Sequence, residues 1–489
     1  MPQVLHIVVI INHIFTCVMH LIYGGNMDFT ELYKSKLTNA REAIKYINDG
    51  DKIVMGFGCS EPFHIIRAMV SEYESFHNVE IINMFTLGDS PWCRPEMKGH
   101  FRLNTLFASA SNRGSVASGD SDYTPTHFSD IPYVLKEYIK PRVAIVTVSP
   151  PDEHGYVSFG TNIDITKGAA EFAEITIAQV NRFMPRTFGD SIMHIRDFTC
   201  LVECDEALPE SLPISINETE MKIGQYCASL INDGDCIQLG IGGIPNAVCA
   251  QLKDKKNLGL HSELVGDGVV DLLESGVINN SQKNYFKNFT VLGGAFGTKK
   301  LNDFINNNPS VIMLPSEVVN NPDIIALNDN VVSVNSALQV DLLGQVVADS
   351  VGLAQFSAVG GQMDFVRGAQ KSKGGRSIIA LPSTAKKGSI SRIVPIITEG
   401  SAITTTRNDV NYIVTEYGIA QLKGQTLRER AKALIKIAHP KYRLGFITEY
   451  TRRFKEDPFS SEELKSVLLD DAVEDIKTTI SNIKDKLSI

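Results

Sequence analysis

The stretch that decides the fold runs from Asn232 to Val248 and reads NDGDCIQLGIGGIPNAV. The apolar segment CIQL is typical of a short buried strand, the glycines after it indicate a tight turn, and PNAV begins a helix. A strand that leads through a glycine-rich turn into a helix is the repeating unit of α/β proteins, and its backbone N–H groups suit a phosphate. The stretch therefore predicts an α/β fold.

A similar phrase, NDGDKIVMGFGCSEP, occurs earlier, at Asn48–Pro62. Both copies contain NDGD-x-I-x-x-G-x-G, both follow a helical segment, and a second predicted strand follows each. From Met27 onward, β-branched apolar runs alternate with helix-period segments, which indicates largely parallel sheets. We therefore expect two similar α/β domains, residues 27–215 and 216–489, joined near Glu206–Glu220. A chance resemblance between two strand–turn–helix units is the alternative.

The composition indicates an ordinary enzyme. A chain of 489 residues with 43% hydrophobic residues is long enough for more than one core. The net charge of -9 leaves no surplus of basic residues to displace the counterions of a nucleic acid. The 8 cysteines are scattered, as in reduced cytoplasmic proteins, and the close pair Cys200 and Cys204 lacks the second ligand pair of a structural zinc site. We expect a cytoplasmic protein that binds no nucleic acid.

The first 26 residues differ from the rest of the chain. They are strongly apolar, yet they contain three histidines, no Lys or Arg, and no small-residue cleavage site. A polar, amphipathic segment begins at Met27. We expect the folded protein to begin there, with residues 1–26 as an upstream extension and no membrane partner, and a membrane anchor is the alternative. The acidic helical segment at residues 460–489 is assigned no chemistry.

The glycine-rich turn is the first candidate binding site. Its backbone can approach a phosphate or a pantetheine chain closely, and the helix that follows adds positive potential. The candidate residues are Gly240, Ile241, Gly242, Gly243 and Ile244. A dinucleotide loop is an alternative because Glu263 follows Gly240 by 23 residues, but Pro245 stands where that loop needs its third glycine. A purely structural turn is the other alternative.

Glu263, in the segment HSELVGDG, is the candidate nucleophile. It lies near the carboxyl end of a predicted strand, where open α/β sheets build their sites, whereas the first copy offers Met84 or a neighbour there. A glutamate with an ordinary pKa of about 4.3 is ionised at neutral pH and can attack an activated acyl carbon without a general base. The alternative is that Glu263 caps the helix that begins near Asp267.

Two further segments offer hydrogen-bond donors and a cation. Asn335 precedes a predicted hairpin, and its amide can donate to an oxyanion. Gly360-Gly361 allows backbone N–H groups to point into a pocket. Lys386 lies with Lys387 and Arg392 in a basic cluster that suits a phosphate. An ordinary turn, a bend and a solvated loop are the respective alternatives.

Long motifs occur in a defined order between about Asn39 and Arg443. They are VSPPDEHGYVSFG, GIGGIPNAV, HSELVGDGVVDLLESGVI, NSALQVDLLGQV, GGQMDFVRGA and VTEYGIAQLKGQTLRERAKALIKIAHPKYR. Together they resemble the acetyl-CoA hydrolase/CoA-transferase family, in particular its 4-hydroxybutyrate and butyryl-CoA:acetate transferase members. The resemblance implies two CoA-transferase-type α/β domains with the active site at their interface, in a homodimer or larger homo-oligomer.

The resemblance also implies a ping-pong reaction. Glu263 attacks an acyl-CoA, becomes a glutamyl-CoA thioester and passes CoA to a second carboxylate, with Asn335 and Gly361 as catalytic donors. Acyl-CoA is then a substrate held by residues 240–244, Gly360 and Lys386, and neither a metal nor a permanently bound cofactor is expected. The acid is left open among acetate, butyrate, 4-hydroxybutyrate, succinate and itaconate.

Two other functions stay open. An acyl-CoA hydrolase would use the same Glu263 and let water open the intermediate. A non-catalytic module would bind CoA or a nucleotide without turnover. For a transferase, we expect Gly56–Pro62 and Met84–Trp92 to contribute to the pocket for the acid.

Overall fold

The computed structural model describes residues 29–212 and 215–468. The expected extension at 1–26 and the end of the chain from 469 onward lie outside the described residues. None of the described helices is both long enough and apolar enough to span a bilayer. The described residues form α/β structure with two large sheets, which confirms the predicted fold class.

The first half of the chain is built on an eight-stranded sheet. Its strands, together with three short ones outside that sheet, are β1 (Leu37–Thr38), β2 (Lys52–Met55), β3 (Val79–Asn83), β4 (Phe101–Thr105), β5 (Asp122–Tyr123), β6 (Val143–Val148), β7 (Tyr156–Ser158), β8 (Ile175–Val180), β9 (Phe188–Gly189), β10 (Ile192–His194) and β11 (Cys200–Glu203). The sheet order is β1-β11-β8-β6-β2-β3-β4-β5, and every neighbouring pair is parallel. Strand β6 is buried along its whole length, as expected where helices cover both faces of a parallel sheet.

Short helices connect these strands. They are α1 (Phe29–Lys36), α2 (Ala40–Ala43), α3 (Phe63–Ser71), α4 (Arg113–Ser118), α5 (Ile131–Val134) and α6 (Thr166–Phe172). Single turns of 3-10 helix occur at Ile44–Tyr46, Gly58–Ser60, Tyr73–Ser75, Pro91–Cys93, Pro95–Met97, Phe128–Asp130 and Ile195–Asp197, and Leu135–Ile139 is a π-helical turn. Helix α3 buries Ile65, Ile66 and Met69 because these apolar residues recur at helical spacing.

The second half carries a nine-stranded sheet. Its strands and the small sheets beside it are β12 (Cys236–Gln238), β13 (Gly259–Val265), β14 (Thr290–Ala295), β15 (Val311–Met313), β16 (Val331–Ser336), β17 (Gln339–Asp341), β18 (Val346–Val347), β19 (Ser350–Val351), β20 (Ala354–Gln355), β21 (Arg376–Ala380), β22 (Thr384–Ala385), β23 (Ile390–Ser391), β24 (Ile393–Val394), β25 (Tyr412–Thr415) and β26 (Gly418–Gln421). The order is β26-β25-β21-β16-β12-β13-β14-β15-β9, so one short strand from the first half closes its edge. The β25–β26 pair is antiparallel and the other pairs of this sheet are parallel.

The helices of the second half follow the same alternation. They are α7 (Glu218–Ser229), α8 (Gly243–Gln251), α9 (Gly268–Glu274), α10 (Lys299–Ile305), α11 (Ser316–Val319), α12 (Pro322–Ile325), α13 (Gln362–Lys371), α14 (Leu427–Lys436) and α15 (Pro440–Phe454), and residues 461–468 are also helical. Asn217 and Glu220 form a reciprocal capping box that fixes the start of α7 just after the segment between the halves. The glycine-rich turn leads from β12 into α8, as the sequence predicts.

The two large sheets share one strand order. When β12 is placed on β2, β13 and β14 fall on β3 and β4, while β16, β21 and β25 fall on β6, β8 and β11. In this alignment Glu80 of β3, which pairs with Lys52 of β2, corresponds to Gly259 of β13, which pairs with Cys236 of β12. Met84 lies four residues beyond Glu80 and Glu263 lies four residues beyond Gly259. The first sheet therefore has a buried methionine where the second has the candidate nucleophile.

The repeated NDGD phrase has the same local structure in both halves. The backbone N–H of Asn48 donates to Oδ2 of Asp51 at 2.7 Å, and that of Asn232 donates to Asp235 at 2.6 Å. Each buried aspartate then pairs with an arginine that begins or precedes a strand of the same sheet. The phrase recurs because the turn needs its last aspartate as both a backbone cap and the partner of a guanidinium.

The first copy of the phrase also fixes how the halves meet. Gly58 has a positive φ of 57°, and a Cβ atom there would overlap the ring of Phe296, which follows β14 in the second half. The Phe296 ring lies 6.0 Å from that of Phe57 and 5.0 Å from that of Phe85. An aromatic cluster thus joins the halves at a point where only glycine fits.

We expect Gly58→Ala to lower the free energy of unfolding by about 2–4 kcal/mol, because it adds left-handed strain to a steric overlap at the contact between the halves. Gly99→Ala is a matched control, since Gly99 has a φ of 86° and open space around its Cβ position. Denaturant unfolding of both variants measures the difference. Equal losses would contradict a close contact at Gly58.

Candidate active site

A cleft of about 400 Å³ opens at the carboxyl ends of β12, β13 and β16 and is lined by both halves. The first half contributes Phe85, Phe107, Ala108, Ser109, Ala110 and Arg113. The second half contributes Gln238, Leu239, Gly240, Ile241, Pro245, Glu263, Leu264, Val334, Asn335, Ser336, Ala348 and residues 357–362. The carboxyl edge of a parallel sheet is where α/β proteins place their sites, so this cleft is the candidate active site.

Glu263 lies in β13 and its side chain reaches into this cleft. The Asn320 side chain donates a hydrogen bond from Nδ2 to Oε2 of Glu263 at 2.6 Å. Glu263 does not cap the following helix, because Asp267 is the residue before α9 and its carboxylate accepts hydrogen bonds from Thr298 instead. The structure thus places the glutamate for chemistry at the cleft and not for helix capping.

Gly361 lies directly against this carboxylate. Burial raises the pKa of Glu263, and the nearby backbone N–H of Gly361 acts against that rise. A Cβ atom at Gly361 would overlap both Oε2 of Glu263 and Nδ2 of Asn320, although the φ of -88° would suit any residue. Glycine is therefore required here by space and not by backbone conformation.

Glu263 is surrounded by groups that disfavour its charge. Burial raises its pKa to about 8, the hydrogen bond from Asn320 opposes this rise, and the carboxylates of Asp364 and Asp164 add to it. Burial also raises the pKa of Asp164 to about 7 and raises that of Asp364. The sequence-based expectation of an ordinary glutamate pKa was wrong for this structure, because three carboxyl groups share one poorly hydrated region.

Asp364 connects the site to the first half. It lies in the first turn of α13, and its carboxylate accepts hydrogen bonds from the backbone N–H of Ser129 at 3.0 Å and from Oγ of Ser129 at 2.9 Å. The backbone N–H of Phe128 donates to the carbonyl of Gly360 at 3.2 Å. The segment that carries Gly360 and Gly361 is thereby held against the first half.

His261 precedes Glu263 by two residues on the same strand but cannot act as its base. The histidine is buried, and burial lowers its pKa to about 3, so the ring is neutral. Its Nε2 lies 2.8 Å from the carbonyl oxygen of Val319, and it does not line the cleft. Chemistry at Glu263 therefore has to begin from its own carboxylate.

Asn335 and Gln238 face the cleft side by side. Asn335 lies in β16, and its amide donates to Oε1 of Gln238 at 3.3 Å across to β12. This bond is long, so the Asn335 amide can turn to a ligand at small cost. The structure places Asn335 in the same cleft as Glu263, as the catalytic prediction requires.

The glycine-rich turn lies only partly at this cleft. Gly240 and Ile241 line it, whereas Gly242 lines a neighbouring cavity of about 460 Å³ beside Asn246 and Lys253. Gly242 has a φ of 112°, which explains the glycine, and Gly243 begins α8. Ile244 is buried in the apolar core, so its side chain does not face the cleft.

Of the two remaining predicted CoA-binding residues, Gly360 and Lys386, only Gly360 lies at the cleft. Gly360 lines the cleft and has a φ of 53°. Lys386 is exposed in the turn between β22 and β23 and is not part of the cleft lining. The structure therefore brings Gly360 together with Glu263 and leaves Lys386 outside.

The sequence interpretation missed four residues that shape the site. They are Asn320, Asp164, Asp364 and Arg113. Arg113 lines the cleft with its guanidinium 3.7 Å from the ring centre of Phe356, and in the described part of the chain no carboxylate pairs with it. Its Nε donates to the backbone carbonyl of Phe356, and an arginine that has no carboxylate partner suits a phosphate or carboxylate ligand.

Only one of the two segments predicted to form the acid pocket contributes a residue to the cleft. Phe85, from Met84–Trp92, lines the cleft, but none of Gly56–Pro62 does. Glu61 is instead buried beside a separate cavity of about 380 Å³, where burial raises its pKa to about 8 and Thr86 donates to it at 2.7 Å. Gly56–Pro62 supports the aromatic contact between the halves and does not line the candidate active site.

One group of possible metal ligands lies outside the cleft. Ligand atoms of His64, Cys204 and Glu206 are within 4.8 Å of one another. The Glu206 carboxylate already pairs with the Arg67 guanidinium, so its charge is compensated within the protein. None of the three residues lines the cleft.

The chain is similar to proteins of one family along most of its length. Residues 24–213 match the acetyl-CoA hydrolase/transferase N-terminal domain, and residues 297–450 match the C-terminal domain. The chain is 49% identical to the 4-hydroxybutyrate coenzyme A transferase of Clostridium kluyveri, over 88% of this chain and 100% of that protein.

Solved structures show the same likeness. RipA from Yersinia pestis is 37% identical with a TM-score of 0.83, over 88% of this chain and 100% of that one. The 4-hydroxybutyrate CoA-transferase from Porphyromonas gingivalis is 42% identical with a TM-score of 0.76, over 87% of this chain and 100% of that one. The predicted family resemblance and two-domain α/β architecture are confirmed.

We expect Glu263→Gln to stabilise the fold increasingly as the pH rises. Below the unfolded pKa of 4.5 both states carry the proton, but between 4.5 and about 8 only the folded state keeps it. The wild type therefore loses stability across this window, and the uncharged amide avoids that loss. The gain at pH 8 should be about 4 kcal/mol.

Thermal unfolding at a series of pH values measures this gain. Glu153→Gln, at an exposed side chain, is the control and should show no such trend. A stability difference between wild type and Glu263→Gln that does not vary with pH would contradict the raised pKa.

Proposed function

The chain belongs to the acetyl-CoA hydrolase/transferase family, and on that premise we propose that it moves CoA between an acyl-CoA and a short carboxylic acid through a glutamyl-CoA thioester on Glu263. The observation that carries this proposal is the carboxylate of Glu263, which lies in a cleft between the halves, accepts a hydrogen bond from Asn320 and has Gly361 packed against it. A carboxylate so placed is a nucleophile for an acyl carbon.

The reaction needs no other nucleophile. An oxygen of Glu263 attacks the thioester carbonyl of the acyl-CoA, and the C–S bond breaks to release the CoA thiolate and leave a mixed anhydride. The thiolate then attacks the glutamyl carbon, and the first acid leaves as its carboxylate. A second carboxylate reverses both steps and departs as the new acyl-CoA, which regenerates Glu263.

The raised pKa of Glu263 fits this cycle. The free enzyme holds Glu263 largely protonated at neutral pH, because burial raises the pKa to about 8. Only the ionised fraction attacks, and it is more nucleophilic than a hydrated carboxylate since little water has to be removed from it. Asn335 and the backbone of Gly361 would donate to the tetrahedral oxyanions on the acyl or glutamyl carbon.

The side chains that line the cleft also indicate which class of substrate fits there. The aromatic and aliphatic side chains of Phe85, Phe107, Ile241 and Leu264 suit the short hydrocarbon part of an acid, since ligand sites are apolar with a few polar groups. Arg113 in the same cleft suits an anionic group. Acetate, butyrate, 4-hydroxybutyrate, succinate and itaconate are the acids to compare.

CoA is the substrate that both half-reactions share. We propose that Gly240 and Ile241 contact its pantetheine chain, because they line the cleft beside Glu263. Lys386 could reach a phosphate only at the end of a long ligand, since it lies outside the cleft. Binding of these remote parts lowers the barrier only where the contacts strengthen in the transition state.

We propose residues 27–215 and 216–489 as the domains, although β9 crosses from the first to the second sheet. In the part of the chain that the structure describes, seven cysteines are free and five of these are buried, which supports a reducing and therefore cytoplasmic location. A homodimer or larger homo-oligomer is proposed from the family resemblance.

Incubation with acyl-CoA in the absence of an acceptor acid should add CoA to the protein. We expect intact mass to show this adduct, peptide mapping to place it on Glu263, and Glu263→Ala to lack both the adduct and transfer. Transfer undiminished in Glu263→Ala would contradict the mechanism.

Assays with and without an added acceptor acid distinguish a transferase from a hydrolase and from a binding module. A transferase releases new acyl-CoA only when a carboxylate is added, and the acids named above can be ranked by kcat/KM. Release of free CoA without an acceptor would instead indicate a hydrolase. Tight CoA binding with no adduct would indicate a binding module.

We expect Gly361→Ala to abolish thioester formation, because the added methyl group displaces the Glu263 carboxylate and the Asn320 amide. Gly445→Ala is the control, as Gly445 lies in α15 with open space at its Cβ position. Intact mass after incubation with acyl-CoA measures both variants. An unchanged adduct yield in Gly361→Ala would contradict the placement of Gly361 against the nucleophile.

A further inference from the structure

We propose that the side chains of His64, Cys204 and Glu206 form a binding site for one zinc-like divalent ion, at the place where β8 and β11 end. An imidazole nitrogen, a thiolate sulfur and a carboxylate oxygen are the three kinds of ligand that Zn²⁺ takes in proteins. The inference does not depend on the proposed function, because none of the three residues lines the cleft that holds Glu263.

Three consecutive residues at the end of β8 hold the backbones of the three ligands. The backbone N–H of His64 donates to Oε1 of Gln179 at 3.0 Å, and that of Cys204 donates to the carbonyl of Val180 at 3.0 Å. The side chain of Asn181, the next residue, donates from Nδ2 to the carbonyl of the glutamate at 2.7 Å. The ligands are therefore positioned by a strand of the sheet, which is the more precise way to build a site.

The three ligand atoms lie close enough to share an ion. All lie within 4.8 Å of one another, whereas the ligand atoms of one tetrahedral zinc ion stand about 3.3–3.8 Å apart at metal–ligand distances of about 2.0–2.3 Å. Side-chain movements of about 1 Å close this difference, and all three residues are only half-buried, which leaves room for such movements. Three protein ligands leave the fourth position of the ion to water.

The imidazole and the thiol are both available to an ion. In the part of the chain that the structure describes, the imidazole of His64 forms no hydrogen bond and no ion pair. Cys204 is a free cysteine. Burial raises the pKa of its thiol to about 11, and the Glu206 carboxylate adds to this rise. The thiol therefore carries a proton, which leaves to the solvent when the sulfur binds the ion.

The Arg67 guanidinium is compatible with an ion at this place. It pairs with Oε1 of Glu206, and a carboxylate has a second oxygen that can coordinate. Carboxylates that ligate metals are themselves hydrogen-bonded, and such partners fix their orientation. The thiolate and the carboxylate together carry the two negative charges that balance a divalent ion.

The sequence does not reveal this site, because its ligands come from different elements. His64 lies in α3, whereas Cys204 and Glu206 follow β11. Cys200, the close neighbour of Cys204 in the sequence, is buried in an apolar cluster of the first half and is not one of the ligands. The spacing of paired cysteines, which identifies structural zinc sites, therefore gives no signal here.

An ion at this place ties the first half to the segment that leads into the second. Glu206 begins that segment, and further along it the N–H of Ser211 donates to the carbonyl of Gly297 in the second half at 3.0 Å. The Glu210 carboxylate accepts from the N–H of Lys299 at 2.9 Å. An ion that binds only the folded chain raises its stability by mass action. The ion therefore stabilises the connection between the halves and takes no part in chemistry at the cleft.

The experiment uses the reduced full-length chain, which is freed of metal with a chelator and then titrated with Co²⁺. Cobalt accepts the same kinds of ligand as zinc, and a thiolate bound to it gives a charge-transfer absorption band. We expect this band to saturate at one Co²⁺ per chain and to disappear when Zn²⁺ is added, since zinc binds such ligands more tightly than cobalt. We also expect Zn²⁺ to raise the unfolding temperature.

Ligand variants and matched controls test the assignment. Cys204→Ser should lose both the charge-transfer band and the stabilisation by Zn²⁺. His64→Gln and Glu206→Gln should each weaken Co²⁺ binding by about tenfold or more, since loss of even an outer partner of a ligand costs about 10–100-fold. Cys93→Ser and Cys17→Ser are the controls, because they remove thiols at other positions of the sequence and should keep the band.

A wild type without the charge-transfer band, or a band unchanged in Cys204→Ser, overturns the inference. So does a band that is lost in Cys204→Ser while Co²⁺ affinity is unchanged in both His64→Gln and Glu206→Gln, because a lone thiol then holds the ion. Cooperative unfolding in chelator identifies the variants that fold, and three ligand variants keep the test decisive if one does not. No readout uses acyl-CoA, so failure here leaves the proposed function to its own adduct experiment.

Discussion

The hydrogen bond from the Asn320 amide to Oε2 of Glu263 joins three features of the structure that would otherwise be unrelated. It counters the burial that disfavours a charged glutamate, it fixes the position of one carboxylate oxygen, and it ties β13 to the residue that follows α11. A buried acid with no donor would stay protonated, and a solvated acid would be a weak nucleophile. Glu263 lies between a permanently protonated acid and a fully solvated one, because a neutral donor favours its charged form while nearby acids disfavour it.

The two halves of the chain cooperate in holding that carboxylate. Asp164 and the segment around Ser129 come from the first half, and one apolar cluster contains buried residues of both halves. The contact of Gly58 with Phe296 adds a place where the backbones can approach only without a side chain. The cleft is thus built at a packed junction, so its geometry depends on the core and not on loops alone.

The sequence predicted the scaffold better than the surroundings of the nucleophile. The NDGD repeat, the strand–turn–helix pattern and the position of Glu263 at a strand end follow from local periodicity and turn chemistry, which act over a few residues. The raised pKa and the part of Asn320 could not be predicted, because Asp164, Asn320 and Asp364 come together only through strand order and packing. Lys386 shows the opposite case, since a suitable residue type in a basic cluster lies outside the cleft. Residue type suggests chemistry, whereas burial and neighbours decide it.

The short strand β9 has a consequence for the chain as a whole. A parallel sheet that ended at β15 would present a row of unpaired backbone groups, which other chains could extend by pairing. Phe188 and Gly189 pair with β15, and Gly189 has a φ of 95° with the Met313 backbone where its side chain would be. The first half therefore supplies the strand that covers the edge of β15 in the folded chain. The sheet of the second half is thus completed only when the first half is folded beside it, so neither half has its full set of backbone pairs alone.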